Sequence, residues 1–278
     1  MTVLEIRSLG LVIHSEGRDI PILEGVSLAI QQGQILGLAG ESGSGKTMTG
    51  LSVMGLEPKN STLTGAITVD GAVITGPDRK RRLAELRGSH MAMVFQDPTT
   101  SLHPMLTIES QLTDHARLHL GLDRAAARDR AAELLRRVGI DRAGSLKRYP
   151  HEFSGGQRQR IAIASALMCS PKLLIADEVT TALDVTVQAG ILRLIRGLAE
   201  ELGLAVLFIS HDLGVISALA DDVAVMQRGA IVEAGPRLQV FTEPEHAYTK
   251  ALLASLPGAK GGLASREDLY RIDLKKDL

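Results

Sequence analysis

The hydrophobic pattern of the chain predicts short strands that alternate with helices. Short apolar runs, typical of strands buried in a sheet, occur at 35–39, 91–95, 173–176 and 204–209. Further strands are predicted at 3–6, 22–30 and 65–71, and as a hairpin at 223–226 and 230–233; in 22–30 apolar residues alternate with small or polar ones. Helices are predicted at 48–54, at 79–87, which is basic, at 161–168, and again in the Ala- and Leu-rich stretch from Val187 onwards. Together these elements indicate an α/β fold.

The segment 107–150 has a different character. It is rich in Ala, Leu, Arg and acidic residues with helical spacing, and it contains no strand signal. We interpret it as part of an all-helical subdomain, at about 100–168, inserted into the α/β core. We interpret its charges as a solvated helix face. The predicted organisation is one domain over 1–255 and a C-terminal tail over 256–278.

The segment 40–47 has the spacing of a phosphate-binding loop. It reads Gly-x-x-x-x-Gly-Lys-Thr between a predicted strand and a predicted helix, a context that disfavours a plain glycine-rich turn. Its glycines allow backbone N–H groups to point at phosphate oxygens, and the helix start adds its positive end. The lysine suits the β- and γ-phosphates, and the threonine hydroxyl suits Mg²⁺. The residues predicted to bind nucleotide here are Gly40, Glu41, Ser42, Gly43, Ser44, Gly45, Lys46 and Thr47.

Composition narrows the classes of function. The 278 residues include no tryptophan, only 3 tyrosines and 4 phenylalanines, so the core must be mainly aliphatic. The formal net charge of -1 argues against a protein that holds nucleic acid by bulk positive charge. The single cysteine, Cys169, allows no internal disulfide and fits a buried position at a helix end. No apolar run reaches the roughly 18 residues of a membrane span, so we expect a chain that does not itself cross a membrane.

Polar residues follow several predicted strands at their carboxyl ends. Gln96 follows one strand, Asp177 and Glu178 follow the next, and His211 follows a third. In open α/β sheets this edge meets the ligand, so an amide and two carboxylates there could hold Mg²⁺ or polarise a water molecule. Each residue also has a plain structural interpretation: a strand cap for Gln96, a helix cap for the acids, a structural role for the histidine.

A second possible anion site lies at 153–160. Ser154 is a plausible N-cap, and the glycines after it leave backbone N–H groups open at the start of a helix. An ordinary capped helix would explain these residues equally well. It would not explain why one chain carries two phosphate-seeking helix starts.

Taken together, these segments resemble the ATP-binding subunits of ABC transporters, and the resemblance covers nearly the whole chain. The family's motifs appear in its order: Walker A at 40–47, Q-loop at Gln96, signature at 153–157, Walker B with its catalytic glutamate at 173–178, D-loop at 181–184 and H-loop at His211. The resemblance implies a P-loop NTPase core of the ABC ATPase type, with an antiparallel β subdomain and an inserted α-helical subdomain.

The resemblance also implies roles for individual residues. ATP and Mg²⁺ would be the cofactors, with Thr47, Gln96 and Asp177 at the metal and with Glu178, His211 and Gln96 as the catalytic residues. Two such subunits would face each other head to tail. The residues that then serve the partner's nucleotide are Ser154, Gly155, Gly156, Gln157 and Asp184.

The implied partners are proteins of a membrane complex. They are a second ABC ATPase subunit, identical or homologous, two transmembrane permease subunits and, through the complex, an extracytoplasmic solute-binding protein. The resemblance implies no nucleic acid. It places the chain peripherally at the cytoplasmic face of the cell inner membrane.

A finer resemblance, to the dipeptide, oligopeptide and nickel importers, rests on 95–104, 180–186 and 243–253. It implies uptake of a peptide, nickel or a related small solute. Many members carry a cysteine cluster after the last of these segments, but 258–278 contain no cysteine, so no iron–sulfur cluster is predicted.

Two further departures concern single residues. Val179 replaces the family's proline after the catalytic glutamate. No aromatic residue precedes Phe95, so Ile13, His14 or an aliphatic neighbour would cover the adenine.

Two alternatives to an importer ATPase remain open. One is a soluble ABC-type ATPase that is not coupled to transport. DNA-repair proteins of that type need a long coiled-coil insertion, and translation factors usually carry two ABC domains in one chain. The sequence contains neither feature. The other is a catalytically silent subunit, which the intact Glu178, His211 and signature disfavour.

Overall fold

Ten strands in two sheets form the framework of the described chain. The structure is a computed structural model that describes residues 1–181 and 183–255, apart from the side chains of Thr99 and Thr100. The expected tail at 256–278 and Ala182 of the D-loop segment lie outside the described residues. The strands are β1 Thr2–Ser15, β2 Arg18–Gln31, β3 Ile35–Ala39, β4 Ser61–Val69, β5 Ala72–Val73, β6 Met91–Val94, β7 Leu173–Asp177, β8 Ala205–Ile209, β9 Asp222–Gln227 and β10 Ala230–Pro236.

Helices occupy most of the remaining described chain. The α-helices are α1 Lys46–Met54, α2 Arg79–Leu86, α3 Pro98–Ser101, α4 Ile108–Leu120, α5 Arg124–Arg137, α6 Gly155–Leu167, α7 Val185–Leu202, α8 Leu213–Leu219, α9 Arg237–Thr242 and α10 Ala247–Ala254. Only helical elements, including short 3₁₀ turns, occur between β6 and β7 in the described chain. Among the described helices, none is both long and apolar enough to cross a membrane.

The larger sheet has the order β10-β9-β3-β8-β7-β6. All neighbouring strands are parallel except β9 and β10, which form an antiparallel hairpin. The smaller sheet, β2-β1-β4-β5, is antiparallel throughout. The α/β class and the antiparallel region beside it are therefore confirmed.

The first hairpin is longer than the sequence pattern predicts. The pattern indicates strands at 3–6 and 22–30, whereas β1 and β2 extend to a turn at Glu16 and Gly17. Polar residues are tolerated in the extension because Ile13 pairs with both Ile20 and Ser61, so β4 continues the backbone hydrogen bonding. Several register shifts in β1 also break the strict alternation on which the prediction relied.

The core has two layers, one on each face of the larger sheet. Successive residues of the same strand face opposite layers: Leu174 packs with the helices, and Ile175 packs with the smaller sheet. The helical layer includes Phe208 and the buried, free Cys169, as expected for a small residue at a helix end. A sheet covered on both faces explains why its strands appear as continuous apolar runs in the sequence.

Two arginines cap the carboxyl end of α1. The Arg79 guanidinium donates to the carbonyl of Ser52 at 2.9 Å, and Arg87 donates to the carbonyls of Met54 and Gly55 at 2.8 Å each. Positive charge at this end complements the helix dipole, and the guanidinium groups supply donors for carbonyls of the last helical turn. The two arginines therefore fix the helix that begins at Lys46.

Candidate active site

The predicted catalytic residues lie at one edge of the larger sheet because its strands are parallel and adjacent. The loop 40–47 follows β3, His211 follows β8, Glu178 follows β7 and Gln96 follows β6, and these four strands are consecutive neighbours. The carboxyl edge of a parallel sheet is where such folds bind ligands. Sequence spacing alone does not give this strand order.

The backbone of loop 40–47 requires glycine at defined positions. Gly40 has a φ of 146°, and a Cβ there would lie 2.2 Å from the carbonyl oxygen of Met226. Gly45 has a φ of 108°, and its Cβ would lie 2.8 Å from the Met226 methyl group. The chain therefore bends tightly against β9 at both ends of the loop.

Lys46 is held inside the loop. Its ammonium group donates to the carbonyl oxygens of Gly40 and Glu41, both at 2.8 Å, and the residue is only 4% exposed. Burial lowers the pKa of Lys46 from its ordinary value, although the nearby carboxylates of Glu178 and Asp177 oppose that shift. The Lys46 ammonium group therefore lies inside the bend of the loop, against the backbone of its first two residues.

Ser44 supports the interpretation of this loop as an anion cradle. Its hydroxyl is buried and has no hydrogen-bond partner among the described residues. A buried hydroxyl without a partner is costly unless a ligand supplies one. At Gly43 an added Cβ would meet no atom within 4 Å, so the tip of the loop is open. Both features fit phosphate oxygens.

Thr47 and Asp177 form the candidate metal site. The Thr47 hydroxyl donates to the Asp177 carboxylate at 3.1 Å, which joins the start of α1 to the end of β7. Burial raises the pKa of Asp177 to about 6, and the Thr47 hydrogen bond opposes the rise. A hydroxyl beside a partly desolvated carboxylate fits the oxygen donors that Mg²⁺ prefers.

Glu178 is oriented by two side chains. One carboxylate oxygen lies 3.0 Å from Nδ1 of His211, and the other accepts from the Thr181 hydroxyl at 3.3 Å. The backbone of Glu178 has a φ of 49°, a conformation that non-glycine residues rarely adopt and that costs on the order of 1 kcal/mol. This backbone turn and the two contacts fix where the carboxylate points.

Gln96 lies at the same sheet edge, beyond the end of β6. Val94 pairs with Ala176 of β7, so Gln96 follows its strand about as closely as Glu178 follows β7. Its side chain is exposed. A metal-binding role for Gln96 stays a prediction.

The predicted signature residues begin α6 in the helical layer. Ser154 accepts from the Gln157 backbone N–H at 3.3 Å, and the Gln157 side chain accepts from the Ser154 N–H at 3.0 Å, which completes a capping box. A Cβ at Gly155 would meet nothing within 4 Å, whereas one at Gly156 would lie 2.5 Å from Val187. In the described structure, no hydrogen bond of Ser154 or Gln157 reaches the loop 40–47.

Two other predicted residues have local structural partners. Asp184 caps α7 by accepting from the Val187 N–H at 3.0 Å. The imidazole of His14 lies 2.7 Å from both the Asp19 carboxylate and the Thr62 hydroxyl, in the smaller sheet. Their predicted nucleotide roles stay predictions.

Tyr248 is a neighbour of the loop that the sequence did not indicate. Its hydroxyl oxygen accepts from the backbone N–H of Glu41 at 3.1 Å. The only signal in the sequence is that 243–253 resemble the tail of the peptide and nickel importers, which assigns Tyr248 no role.

Comparison with known proteins agrees with these observations. The family model described as "ABC transporter" matches residues 23–181. The oligopeptide transport ATP-binding protein AppD of Bacillus subtilis is 44% identical over 94% of this chain and 80% of that protein. A probable peptide ABC transporter ATP-binding protein, y4tR of Sinorhizobium fredii, is 46% identical over 95% of this chain and 79% of that protein.

A third relative is longer. The peptidoglycan transport ATP-binding protein YejF of Agrobacterium fabrum is 48% identical over 92% of this chain, but the chain spans only 47% of that protein.

Two solved structures share the fold. The chain matches cbiO1 of Clostridium perfringens, part of the ABC transporter complex cbiONQ, with a TM-score of 0.73 and 28% identity, over 87% of this chain and 91% of that one. It matches the dimeric ATP-binding cassette MJ0796 bound to ADP and Pi with a TM-score of 0.74 and 26% identity, over 84% of this chain and 98% of that one. With the loop, the paired acids and the histidine at one sheet edge, these matches establish that the chain belongs to the ABC transporter family, as an ATP-binding subunit with ATPase activity.

Proposed function

We propose that this chain energises the uptake of a peptide or a related small solute across the cytoplasmic membrane. It would act as one of two ATPase subunits docked at the cytoplasmic face of two transmembrane permease subunits, with an extracytoplasmic binding protein delivering the solute. The names of the relatives, which are transport proteins for oligopeptides, peptides and peptidoglycan, support a peptide-like solute over nickel.

The residues of the site would divide the work of phosphoryl transfer. The N–H groups of 42–47 and Lys46 would bind the phosphates, while Thr47, Asp177 and Gln96 would hold Mg²⁺ directly or through water. When bound, the metal would supply positive charge that offsets the negative charge developing on the phosphates during transfer. Glu178, oriented by His211, positions the attacking water and accepts its proton. Most of the rate enhancement would come from positioning and charge stabilisation.

The observation that carries the proposal is the open helix start at Ser154 and Gly155. Its capping box uses the Ser154 and Gln157 side chains. Beside Gly155, in contrast, there is open space: outside its own helix, no described atom lies within 4 Å of the position that a Cβ would take. An anion-binding helix start that does not reach its own phosphate loop suits the nucleotide of a facing subunit. Two copies, or a copy and a homologue, would then enclose ATP at both sites.

Light scattering tests this arrangement. In Glu178→Gln, which should bind ATP and hydrolyse it slowly, we expect an ATP-dependent dimer. Adding Gly155→Ala should abolish the dimer without lowering the melting temperature, because the new methyl group would have no described atom within 4 Å apart from its chain neighbours and the backbone of its own helix. Adding Gly197→Ala, which also meets open space but lies in α7, is the control and should leave the dimer intact. A persistent dimer in the Gly155 variant would contradict the shared site.

A groove beside the site is the proposed contact for a short helix of the permease. It has a volume of about 610 Å³ and lies between β6 and the helical layer. Its lining includes Met54, Met91, Phe95, Leu102, His115 and Ala166. Met54 ends α1, which begins at Lys46, so the groove and the phosphate loop share one helix.

Co-purification with the permease subunits tests the groove. Phe95→Ser should weaken capture of the permeases and uncouple uptake from hydrolysis, while the isolated subunit still binds ATP. Leu118→Ser is the matched control, because Leu118 is 79% exposed on α4 and does not line the groove. Equal capture by both variants would rule out the groove as the docking site. Failure of the unmodified chain to bind any multispanning protein would favour an ATPase that is not coupled to transport.

A further inference from the structure

The helix α10 reaches the phosphate loop through the side chain of Tyr248. The Tyr248 hydroxyl oxygen accepts from the Glu41 backbone N–H at 3.1 Å, a contact between residues 207 positions apart. Glu41 is the second residue of the loop 40–47. Tyr248 is therefore part of the surroundings of the loop although it lies far away in sequence.

The Glu41 residue receives hydrogen bonds on its other side as well. Its carbonyl oxygen accepts from the Lys46 ammonium at 2.8 Å and from the Ser44 N–H at 3.2 Å. Tyr248 thus fixes the N–H of the same residue whose carbonyl holds Lys46. Loss of the Tyr248 hydroxyl would therefore affect the position of Lys46 through a single intervening residue, Glu41.

The helix that carries Tyr248 is itself anchored. The Glu233 carboxylate of β10 accepts from the N–H groups of Glu245 and His246, at 2.8 and 3.0 Å, and the His246 imidazole caps the N–H of Tyr248 at 3.1 Å. Tyr248 also packs against the helical layer of the core. The phenol is therefore presented from a fixed support.

We propose that Tyr248 is a positioning residue for the ATPase reaction, which acts by fixing the Glu41 peptide and through it the direction of the Lys46 ammonium group. The hydroxyl accepts a hydrogen bond from the loop and would act on the phosphates only through Glu41 and Lys46. Its effect falls on the affinity for ATP, since the loop must otherwise order itself when nucleotide binds.

Tyr248→Phe isolates the hydroxyl, because the ring and its packing remain. We expect the KM for ATP and the calorimetric Kd to rise about 2- to 10-fold, the range that corresponds to one neutral hydrogen bond, with kcat at saturating ATP nearly unchanged. Tyr149→Phe is the control: Tyr149 stacks on His151 in the helical layer and lies outside the loop. It should leave the KM unchanged.

Two further measurements separate positioning from general stability. Glu233→Gln keeps the hydroxyl but loosens α10, and it should raise the KM in the same direction by a smaller factor. Because the chain has 3 tyrosines and no tryptophan, its intrinsic fluorescence comes from tyrosine. If the Tyr248 contact with Glu41 responds to ATP, the emission should change when ATP binds, and that change should be reduced in Tyr248→Phe but not in Tyr149→Phe. An unchanged KM in Tyr248→Phe, or a loss of kcat that only follows a lower melting temperature, would overturn the proposal.

Discussion

Glu178 and His211 meet at 3.0 Å across the ends of two adjacent parallel strands, β7 and β8. Each residue lies just beyond the last residues of its strand, where Asp177 pairs with Ile209. The pairing of the strands therefore sets the pairing of the side chains.

This relationship predicts the effect of Glu178→Gln. An amide retains the shape but cannot accept a proton from water, so we expect turnover to fall by about 100-fold or more while ATP affinity is retained. Phosphate-release kinetics and calorimetry measure the two quantities. Glu200→Gln, on the exposed face of α7, is the control. Turnover at the unmodified rate in Glu178→Gln would remove Glu178 from the catalytic role.

Lys46→Ala should act on binding. The lysine ammonium is buried in the curve of the loop, so its loss removes charge-assisted hydrogen bonds to phosphate, and we expect the Kd for ATP to rise at least about 10-fold. Lys172→Ala is the comparison, because Lys172 pairs with Asp70 at the opposite end of β7. Equal affinities in the two variants would contradict the assignment of Lys46.

Glu233 gives the fold a defined pH dependence. Burial by itself would raise the pKa of Glu233, but hydrogen bonds, including those from the N–H groups of Glu245 and His246, hold the pKa below its ordinary value of 4.5. A carboxylate with a lowered folded-state pKa stabilises the fold above the unfolded pKa, and this stabilisation is lost as the pH falls through the folded pKa.

Glu233→Gln should therefore lower the melting temperature at pH 7, and the difference from the unmodified chain should shrink as the pH falls below 4.5. Thermal unfolding at several pH values measures this. A difference that stays constant over that pH range would mean that the carboxylate charge does not contribute.

Arg87 should contribute to stability through α1. Arg87→Ala would leave the carbonyls of Met54 and Gly55 without their charged donor, and we expect a loss of about 1 to 3 kcal/mol, or several degrees in Tm. Arg81→Ala removes only an exposed pair with Asp78 at 3.8 Å and should change the Tm little. Similar melting temperatures for the two variants would show that the cap is dispensable.

Local patterns are sufficient to predict much of the site. The loop at 40–47 and the cap at Ser154 follow from short-range backbone chemistry, so residue spacing alone indicates both. The acids and the histidine are indicated by apolar runs that end in polar residues. What spacing cannot give is the strand order that brings Gln96, Glu178 and His211 to neighbouring positions.

Contacts between distant segments are not predictable in this way. The hydrogen bond from Glu41 to Tyr248 joins parts of the chain whose apolar patterns are unrelated, and a tyrosine in an amphipathic helix carries no sign of which loop it will touch. The same holds for Arg79 and Arg87, which in sequence are only members of a basic helix. Their role depends on how α2 packs against the end of α1, which is a tertiary property.

The helix α1 connects the two places where this subunit would meet other molecules. It spans nine residues, Lys46–Met54, and is therefore about 14 Å long. Its first residue lies in the phosphate loop and its last residue lines the groove proposed for the permease. Arg79 and Arg87 hold the carboxyl end of α1 through their guanidinium groups. A displacement of the loop on ATP binding would therefore move α1 as a rigid body and shift the wall of the groove. ATP hydrolysis and the permease would then be linked through a single helix without a flexible segment between them.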